Sequence, residues 1–343
     1  MSAKRVVILA SIFFSFVFGS CAAQPPEGEA PTPPGFLESG DARLEAIPSG
    51  AVKGIPEEDH WPPIVHSGWS QPEPMEFPIN TAGGEDSPFF IPDGQTLYFF
   101  FTPDVNIPAE LQVLDGLTGI WVTHMADGEW TLPERVWLAD DPSEYHMDGC
   151  PAIHEGFMFF CSIRAENVQE IEWYNASQSG SGQDVQWGNV ENSGELLNND
   201  YGFGELHISM DGHLYFGADK PGGYGGQDLW VSRWTGENWG EPVNLGPSVN
   251  SSGDEGRPYV SPDGLELWFD VFGRSEHPGP AVFRSLRQTD GSWGPAEEVF
   301  SQFAGEPTLT GDGQTIVFVH HYFSADMSQM IEADLYFANR LQP

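Results

Sequence analysis

The sequence predicts an all-β fold, a five-bladed β-propeller, on the strength of three observations. One strand–turn–strand unit occurs five times, at 85–101, 148–162, 204–218, 254–271 and 304–320. Helical periodicity is almost absent, and the 29 prolines and 40 glycines favour strands and turns. The glycines of the five turns follow one another at spacings of 62, 56, 52 and 49 residues, which suits a propeller-blade repeat: Gly94, Gly156, Gly212, Gly264 and Gly313.

The fourth repeat shows the unit most clearly. Residues 254–264 have the sequence DEGRPYVSPDG, and ELWFDV follows at 266–271. An Asp-Gly pair between two apolar runs, here Asp263-Gly264, is a strong hairpin signal. We therefore expect each repeat to contain an inner strand, a tight turn and a partner strand.

Each repeat continues into a third and a fourth strand. The third strands are predicted at 119–123, 170–175, 228–232, 281–285 and 334–338. The fourth strands carry a tryptophan near their start and are predicted at 128–138, 184–192, 237–245 and 291–300. The fifth repeat has no fourth strand, but the segment 67–77 has the same tryptophan pattern. An N-terminal strand that completes the last blade would close the ring and remove exposed sheet edges.

The first 21 residues have the features of an export signal. Lys4 and Arg5 precede an apolar run over 6–18, which is too short to span a membrane. The run ends in FGSC, which resembles the lipobox of bacterial lipoproteins with Cys21 as the lipid-modified residue, although Phe18 stands where that motif usually has Leu. Cleavage after Ala23 without a lipid is the alternative. We expect a protein of the cell envelope, in the periplasm or at the outer membrane, or else a secreted one.

Composition divides the rest of the chain in two. Residues 22–59 are rich in Pro, Gly, Glu and Ala and predict a flexible tether, and residues 60–343 form the predicted propeller. The formal net charge of −38 repels nucleic acid and anionic membrane surfaces. It favours cationic ligands or divalent metals, or it maintains solubility in salty surroundings. We expect a monomer that has no nucleic-acid partner and touches the membrane only through a lipid anchor.

Two further cysteines lie on the two arms of the second predicted hairpin. If His154 pairs with Phe157 across the turn, Cys150 lies opposite Cys161. Directly opposed residues have Cβ atoms about 4.5–5.5 Å apart, near the distance that a disulfide needs. An exported protein meets an oxidising compartment that allows the bond. Two buried thiols are the alternative.

The repeats DEGRPYVSPDGLELWF, GGYGGQDLWVSRWTGENWGEPVNLG and EDSPFFIPDGQTLYFF resemble the WD40-like β-propeller repeat family of TolB type. The resemblance covers about residues 65–340. The second repeat departs from it, because His154-Glu155-Gly156 replaces Pro-Asp-Gly. Membership of this family implies a propeller, often in a bacterial envelope protein, and it implies no single activity.

A binding site is predicted where the inner strands begin, because loops at the mouth of a central channel are the default ligand site. Alignment of the repeats places one residue of each at this mouth: Ser87, Cys150, Glu205, Arg257 and Glu306. An arginine offers a fork to a ligand carboxylate. We expect a sugar, a peptide terminus or an envelope protein as the partner, unless these residues only brace the mouth through salt bridges. The candidate ligand-binding residues are Arg164, Lys220, Arg257, Glu255, Glu306 and His320.

An enzyme that hydrolyses or cleaves a glycan is the main alternative to a binding protein, and binding is the favoured of the two. Asp86, Asp148 and Glu205 fall in the first three repeats near the channel. Five-bladed glycoside hydrolases of the arabinanase and xylosidase type carry a base Asp, a modulating Asp and an acid Glu in comparable places. Such chemistry needs two carboxyl groups that flank the scissile bond. This is an analogy of arrangement only, because the sequence contains no glycosidase motif of that family.

A metal site is the third hypothesis. His207, Asp270 and His321 could contribute ligands, although adjacent histidines of one strand point to opposite faces. A histidine–carboxylate set would suit a transition metal or zinc, and oxygen ligands alone would suit calcium. We expect a structural calcium ion as the most plausible version of this site.

Overall fold

The computed structural model describes residues 41–113, 115–139, 146–164, 171–195, 197–198 and 203–342. The predicted signal peptide, Cys21 and the first part of the predicted tether lie outside the described residues. In the described part of the chain, no helix is of sufficient length and hydrophobicity to cross a membrane. The helices are short: α1 (Ala42–Ala46), α2 (Ala109–Gln112), and 3-10 turns at Pro56–Glu58 and Gly182–Asp184.

The protein is all-β, as predicted, because short alternating strands with Gly and Pro at their ends fill the described chain. Its first strands are β1 (Ile64–Val65), β2 (Glu73–Pro74), β3 (Gly84–Phe90), β4 (Thr96–Thr102), β5 (Gly119–Ala126), β6 (Glu129–Trp130), β7 (Glu134–Arg135), β8 (His146–His154), β9 (Phe157–Arg164), β10 (Glu172–Ser179) and β11 (Gln186–Asn192). The remaining strands are β12 (Phe203–Ile208), β13 (Leu214–Ala218), β14 (Asp228–Ser232), β15 (Val243–Asn244), β16 (Asp254–Val260), β17 (Glu266–Phe272), β18 (Pro280–Leu286), β19 (Glu297–Ser301), β20 (Ala304–Leu309), β21 (Thr315–Phe323) and β22 (Met330–Asn339).

These strands form four hydrogen-bonded sheets. Two have four strands each, in the orders β8 to β11 and β12 to β15, and a third has the order β1-β19-β18-β17-β16. The nine-stranded sheet joins β20-β21-β22 to β3-β4-β5 through one parallel bridge between Ala333 and Gly84. Each predicted hairpin is present as an antiparallel pair followed by its third strand. We number the five hairpins repeat one to repeat five in chain order.

Every inner strand contains a bulge near its start. The register shifts once in each hairpin, between Asp86/Phe89, Gly149/Ala152, Phe203/Leu206, Gly256/Tyr259 and Gly305/Thr308. A proline follows the bulged residue in four of the five repeats, and proline suits a bulge because it has no N–H for the strand ladder. The bulged residues of these four repeats have positive φ: 47° at Ser87, 54° at Cys150, 49° at Arg257 and 56° at Glu306.

Asparagine side chains, two of them buried, fasten the loops before three inner strands to a neighbouring third strand. Asn250 accepts a hydrogen bond from the Leu229 backbone N–H at 2.8 Å and donates one to the Leu229 carbonyl at 3.0 Å. Asn80 makes the same two contacts with Leu335, and Asn198 makes them with Trp173. Both polar atoms of a buried amide are thereby satisfied, which fixes the entry of each inner strand.

The N-terminal segment reaches the last repeat. Strand β2 pairs with β22, and Trp69 forms a bridge with Arg340, which is the pairing predicted for the segment 67–77. Residues 41–59, assigned to the tether from composition, contact the folded domain instead. The Arg43 side chain is fully buried and donates a hydrogen bond to the Ile79 carbonyl at 2.9 Å. Composition missed this because a few charged anchors in a Pro-rich segment leave no periodic pattern.

Cys150 and Cys161 are free, buried thiols, so the predicted disulfide is absent from this structure. The predicted register is also wrong by one residue, because the bulge places Gly149 rather than Cys150 opposite Cys161. Burial raises the pKa of the Cys150 thiol well above its usual value, and a hydrogen bond with Cys161 adds to the shift. Cys150 is therefore a neutral group at neutral pH.

Candidate functional site

The five bulged residues meet in one pocket. Its wall contains Glu205 and the four residues with positive φ, followed by the prolines that flank them. The pocket offers about 40 Å³ of space. Alignment of the repeats placed these five residues at one equivalent position, and the bulges explain why they converge: each bulge turns one extra side chain inward.

Arg257 is the cation at the centre of this pocket. Its Nε lies 2.8 Å from Glu306 Oε1 and 3.4 Å from Glu205 Oε1, and its Nη1 lies 3.0 Å from Asp270 Oδ1. The Arg257 side chain is 15% exposed, and those of Asp270 and Glu306 are almost fully buried. Burial alone would lower the pKa of Arg257. The nearby carboxylates outweigh this effect and raise the pKa well above its usual value, so Arg257 stays charged.

A fourth carboxyl group, Asp86, joins the cluster. The backbone N–H of Ser87 donates to Asp86 Oδ1 at 2.8 Å and to Glu306 Oε2 at 2.7 Å, so the two acids share one donor. Asp86 directly precedes the bulged residue of repeat one. The other four repeats have glycine at the equivalent position: Gly149, Gly204, Gly256 and Gly305. A Cβ on Gly305 would lie 2.7 Å from Asp270 Oδ2, so glycine leaves room for that carboxylate.

The cluster favours protonated carboxyl groups. Burial raises the pKa of Asp86 well above its usual value, and the charge of Glu306 adds to that shift. Burial and Glu306 likewise raise the pKa of Glu205, against the opposing effect of Arg257. Burial also raises the pKa of Asp270. One arginine faces four carboxyl groups, so at neutral pH the site can hold protons or attract a cationic group.

Three aromatic rings form part of the pocket wall. The His207 ring lies 4.7 Å from the Tyr259 ring and 6.3 Å from the Phe89 ring, measured between centroids. Burial and the charge of His154 lower the pKa of His207 to about 3, so His207 is neutral and adds no positive charge. The Tyr259 hydroxyl donates to the Leu309 carbonyl at 3.0 Å, which fixes its ring against the pocket.

The predicted catalytic set does not assemble. Asp86 and Glu205 belong to the central cluster, but Asp148 lies 2.6 Å from His146 Nδ1 and accepts a hydrogen bond from Ser162 Oγ at 2.7 Å. Burial would raise its pKa, but His146 lowers it below the usual value. Asp148 is two residues before its bulge and Asp86 only one, so the alternation of a strand directs them to opposite faces.

The predicted ligand-binding residues divide in the same way. Arg257 and Glu306 line the pocket, whereas the others have partners elsewhere. Arg164 donates to the Leu138 carbonyl at 3.0 Å and lies over the Tyr174 ring, and Lys220 lies over the Trp230 ring. Glu255 is fully buried and accepts a hydrogen bond from Ser251. His320 is buried 2.8 Å from Asp59 Oδ2.

The predicted metal ligands are not brought together. His207 lies in the aromatic wall, and Asp270 is paired with Arg257. Burial lowers the pKa of His321 to about 4. Across the described ranges, no group of three or more His, Cys, Asp or Glu side chains is arranged to hold a metal ion.

Sequence analysis did not identify Tyr259 or Phe89 as pocket residues, nor Lys53 and Asp59 as residues that contact the last repeat. The proline after each bulged residue was the available signal for the pocket, because Ser-Pro, Cys-Pro, Arg-Pro and Glu-Pro stand at equivalent positions in four repeats. No comparable signal marked the N-terminal contacts.

Comparisons with known proteins add limited information. No protein-family model and no curated protein matches the chain. Among solved structures, the chain is similar to TolB from Acinetobacter baumannii, with 13% identity, 77% of this chain and 56% of that chain covered, and a TM-score of 0.42. It is also similar to a thermostable family-43 glycoside hydrolase, with 14% identity, coverage of 78% and 92%, and a TM-score of 0.47.

A third similar structure is regucalcin, a calcium-binding protein from Agrobacterium tumefaciens, with 15% identity, coverage of 75% and 89%, and a TM-score of 0.41. The chain spans about 56% of the length of the TolB chain that it matches. At these identities and TM-scores the likenesses assign neither an activity nor a ligand to this protein.

Proposed function

We propose that the protein is a five-bladed β-propeller of the cell envelope that binds the protruding polar group of a ligand or protein partner in its central pocket. The five blades correspond to the five hairpins with their third strands, and β2 serves as the outer strand of the last blade. The export signal and the lipobox-like FGSC support a location at the envelope, with Cys21 as the lipid anchor. The observation that carries the binding function is the convergence of five bulged residues on one pocket.

The size of the pocket favours the end of a ligand over a whole sugar ring. A water molecule needs about 10–15 Å³ of such space, so the pocket holds about three water-sized groups. An amino or guanidinium group, or a hydroxymethyl group, fits this space. The rest of the ligand would lie outside, against the loops at the channel mouth.

Charge selects the chemistry of the inserted group. Arg257 is already paired with three carboxylates, so it offers little to a ligand anion. Glu205 lines the pocket, and the carboxyl groups around it outnumber the single arginine. A hydrogen-bond donor with positive charge, such as a lysine side chain or a peptide amino terminus, therefore fits best, and the aromatic wall adds cation–π attraction.

A thermal-shift screen of the full chain tests this function. The probes are a lysine-rich tripeptide, a glutamate-rich tripeptide, a neutral oligosaccharide and calcium chloride. A ligand at one hundred times its dissociation constant adds about 2.7 kcal/mol of stability, which raises the melting temperature of a domain of this size by about 4–5 °C. We expect the lysine peptide to raise the melting temperature and the glutamate peptide to leave it unchanged.

Glu205→Gln is the informative variant, and Glu237→Gln, at an exposed position of the third repeat, is the matched control. The shift should persist in Glu237→Gln and fall by at least half in Glu205→Gln. A shift of equal size in all three proteins would place the ligand elsewhere. A shift with the glutamate peptide alone would contradict the proposed charge preference.

Glycan hydrolysis is the second candidate function. One feature of the site favours it: Glu205 and Glu306 line the same pocket, and burial there raises the pKa of Glu205, as a general acid requires. Incubation with plant and bacterial oligosaccharides, followed by measurement of released reducing ends, tests this activity. Turnover that disappears in Glu205→Gln and persists in Glu237→Gln would support an enzyme, and no release from any oligosaccharide would leave the binding function as the sole candidate.

A further inference from the structure

Residues 53–65, here called the strap, are fastened to repeat five at several points. The Lys53 ammonium lies 2.7 Å from Glu332 and 2.6 Å from Asp334. Asp59 pairs with the buried His320, and Trp61 Nε1 donates to the Ser324 carbonyl at 3.1 Å. The strap ends in β1, which pairs with Ser301 and Phe300 of β19. A flexible tether would show none of these long-range contacts.

The strap lies against a strained turn. Gln302 and Phe303 have φ values of 72° and 59°, the left-handed conformation that non-glycine residues rarely adopt, and they adopt it one after the other. Such a conformation persists only where the surroundings enforce it. The Gln302 amide donates to the Pro62 carbonyl at 2.7 Å, and the Trp61 ring lies edge-on to the Phe303 ring at 6.4 Å.

The same turn leads into the central cluster. Ala304 begins β20 directly after Phe303, and Glu306 is the bulged residue of that strand. The Phe303 carbonyl accepts the His321 N–H at 3.0 Å, and the Phe303 ring stacks on Phe323 at 4.4 Å. A change of the turn therefore shifts Ala304, the first residue of β20, which lies two residues before Glu306, whose carboxylate is 2.8 Å from Arg257.

We propose that the strap holds the Gln302–Phe303 turn in its left-handed conformation and thereby keeps Glu306 in place against Arg257 and the Ser87 N–H. Trp61 and Pro62 act as positioning residues for a cluster that they do not touch. The consequence for ligand binding rests on the proposed function, but the coupling itself does not. A partner that lifts the strap would loosen the central pocket.

Hydrogen exchange of the full chain, followed by mass spectrometry without any ligand, tests the coupling. Two amides report on the cluster: the Ser87 N–H donates to Glu306, and the Glu306 N–H donates to Asp270 at 3.0 Å. Trp61→Ala should speed exchange in the peptide 53–65 at least tenfold. It should also speed exchange at least threefold in the peptides 84–90 and 304–309, while 228–232 exchanges as in the wild type.

Trp234→Ala, at an exposed tryptophan of another sheet, is the matched control and should change none of these peptides. Gln302→Ala removes only the hydrogen bond to the Pro62 carbonyl. If Trp61→Ala unfolds the protein, so that every peptide exchanges faster, the same comparison of peptides is made with Gln302→Ala. Faster exchange of the strap with wild-type exchange at 84–90 and 304–309 would overturn the proposal. So would unchanged exchange of the strap in both variants, because these contacts would then not hold it. Since no ligand is present, either result is independent of the proposed binding function.

Discussion

Replacement of Arg257 by methionine should destabilise the protein, and the loss should depend on pH. Methionine keeps much of the length of the side chain and removes the charge that Glu205, Asp270 and Glu306 share. Removal of one partner from a buried ion pair costs about 3–5 kcal/mol, because the remaining charge is left without compensation. For a domain of this size, that loss corresponds to a fall in melting temperature of about 5–8 °C.

The sign of the pH dependence follows from the raised pKa of these acids. A carboxyl group whose folded pKa is raised contributes stability below its unfolded pKa and loses that contribution as the pH rises through the folded pKa. Burial raises the pKa of Glu205 and of Asp270, although the charge of Arg257 opposes this effect. Removal of that charge in the variant should raise both pKa values further. The variant can take up protons at pH 5, so its loss of stability should be smaller at pH 5 than at pH 8.

Urea unfolding of the wild type and of Arg257→Met at both pH values measures this loss. Arg233→Met, at an exposed position, is the control and should stay within about 0.5 kcal/mol of the wild type. Addition of Asp270→Asn to Arg257→Met should restore part of the stability, because one uncompensated charge disappears. A loss below about 1 kcal/mol, or a loss of equal size at pH 5 and pH 8, would refute this account of the cluster.

Three further predictions concern the frame around the pocket. Burial raises the pKa of Glu332 to about 7, so the wild type loses stability as this carboxyl group ionises between pH 5 and pH 8. Glu332→Gln does not ionise, and its stability relative to the wild type should rise over this range by up to about 3 kcal/mol in thermal unfolding. A constant difference between the two proteins would contradict the raised pKa. Asn250→Ala loses two hydrogen bonds to a buried strand and should lower the free energy of unfolding in urea by about 2–4 kcal/mol. Asn238→Ala, at an exposed position, should leave it unchanged. Equal losses in the two variants would show that the paired contacts do not matter. Arg43→Met should cost about 3–5 kcal/mol in melting experiments if residues 41–46 belong to the folded domain, and an unchanged melting temperature would indicate that they do not.

The sequence predicts the hairpins and the convergence of the five bulged residues because both depend on local chemistry. The turn glycines and the alternation of apolar residues specify each hairpin, and the proline after Ser87, Cys150, Arg257 and Glu306 marks a place where no ladder N–H is available. Equivalent positions in a repeat then occupy equivalent places in space. The convergence of the five bulged residues follows from these local rules.

Two features depend on information that the sequence does not display. The facing of Asp148 depends on the exact register at the bulge, and a shift of one residue moves a side chain to the opposite face. The strap depends on pairs far apart along the chain, such as Lys53 with Glu332 and Asp59 with His320. Each anchor is a charged residue in a Pro-rich segment, and nothing local distinguishes it from the other charges of so acidic a chain.

The most direct test of the central claim is hydrogen exchange of the full chain with the lysine-rich tripeptide at saturating concentration. The account predicts slower exchange in the peptides that contain the bulged residues, at 84–90, 203–208, 254–260 and 304–309, with outer strands such as 186–192 unchanged. Protection of the same peptides should fall by at least half in Glu205→Gln. Protection confined to outer strands, or none at a concentration that raises the melting temperature, would contradict a binding site in the central pocket.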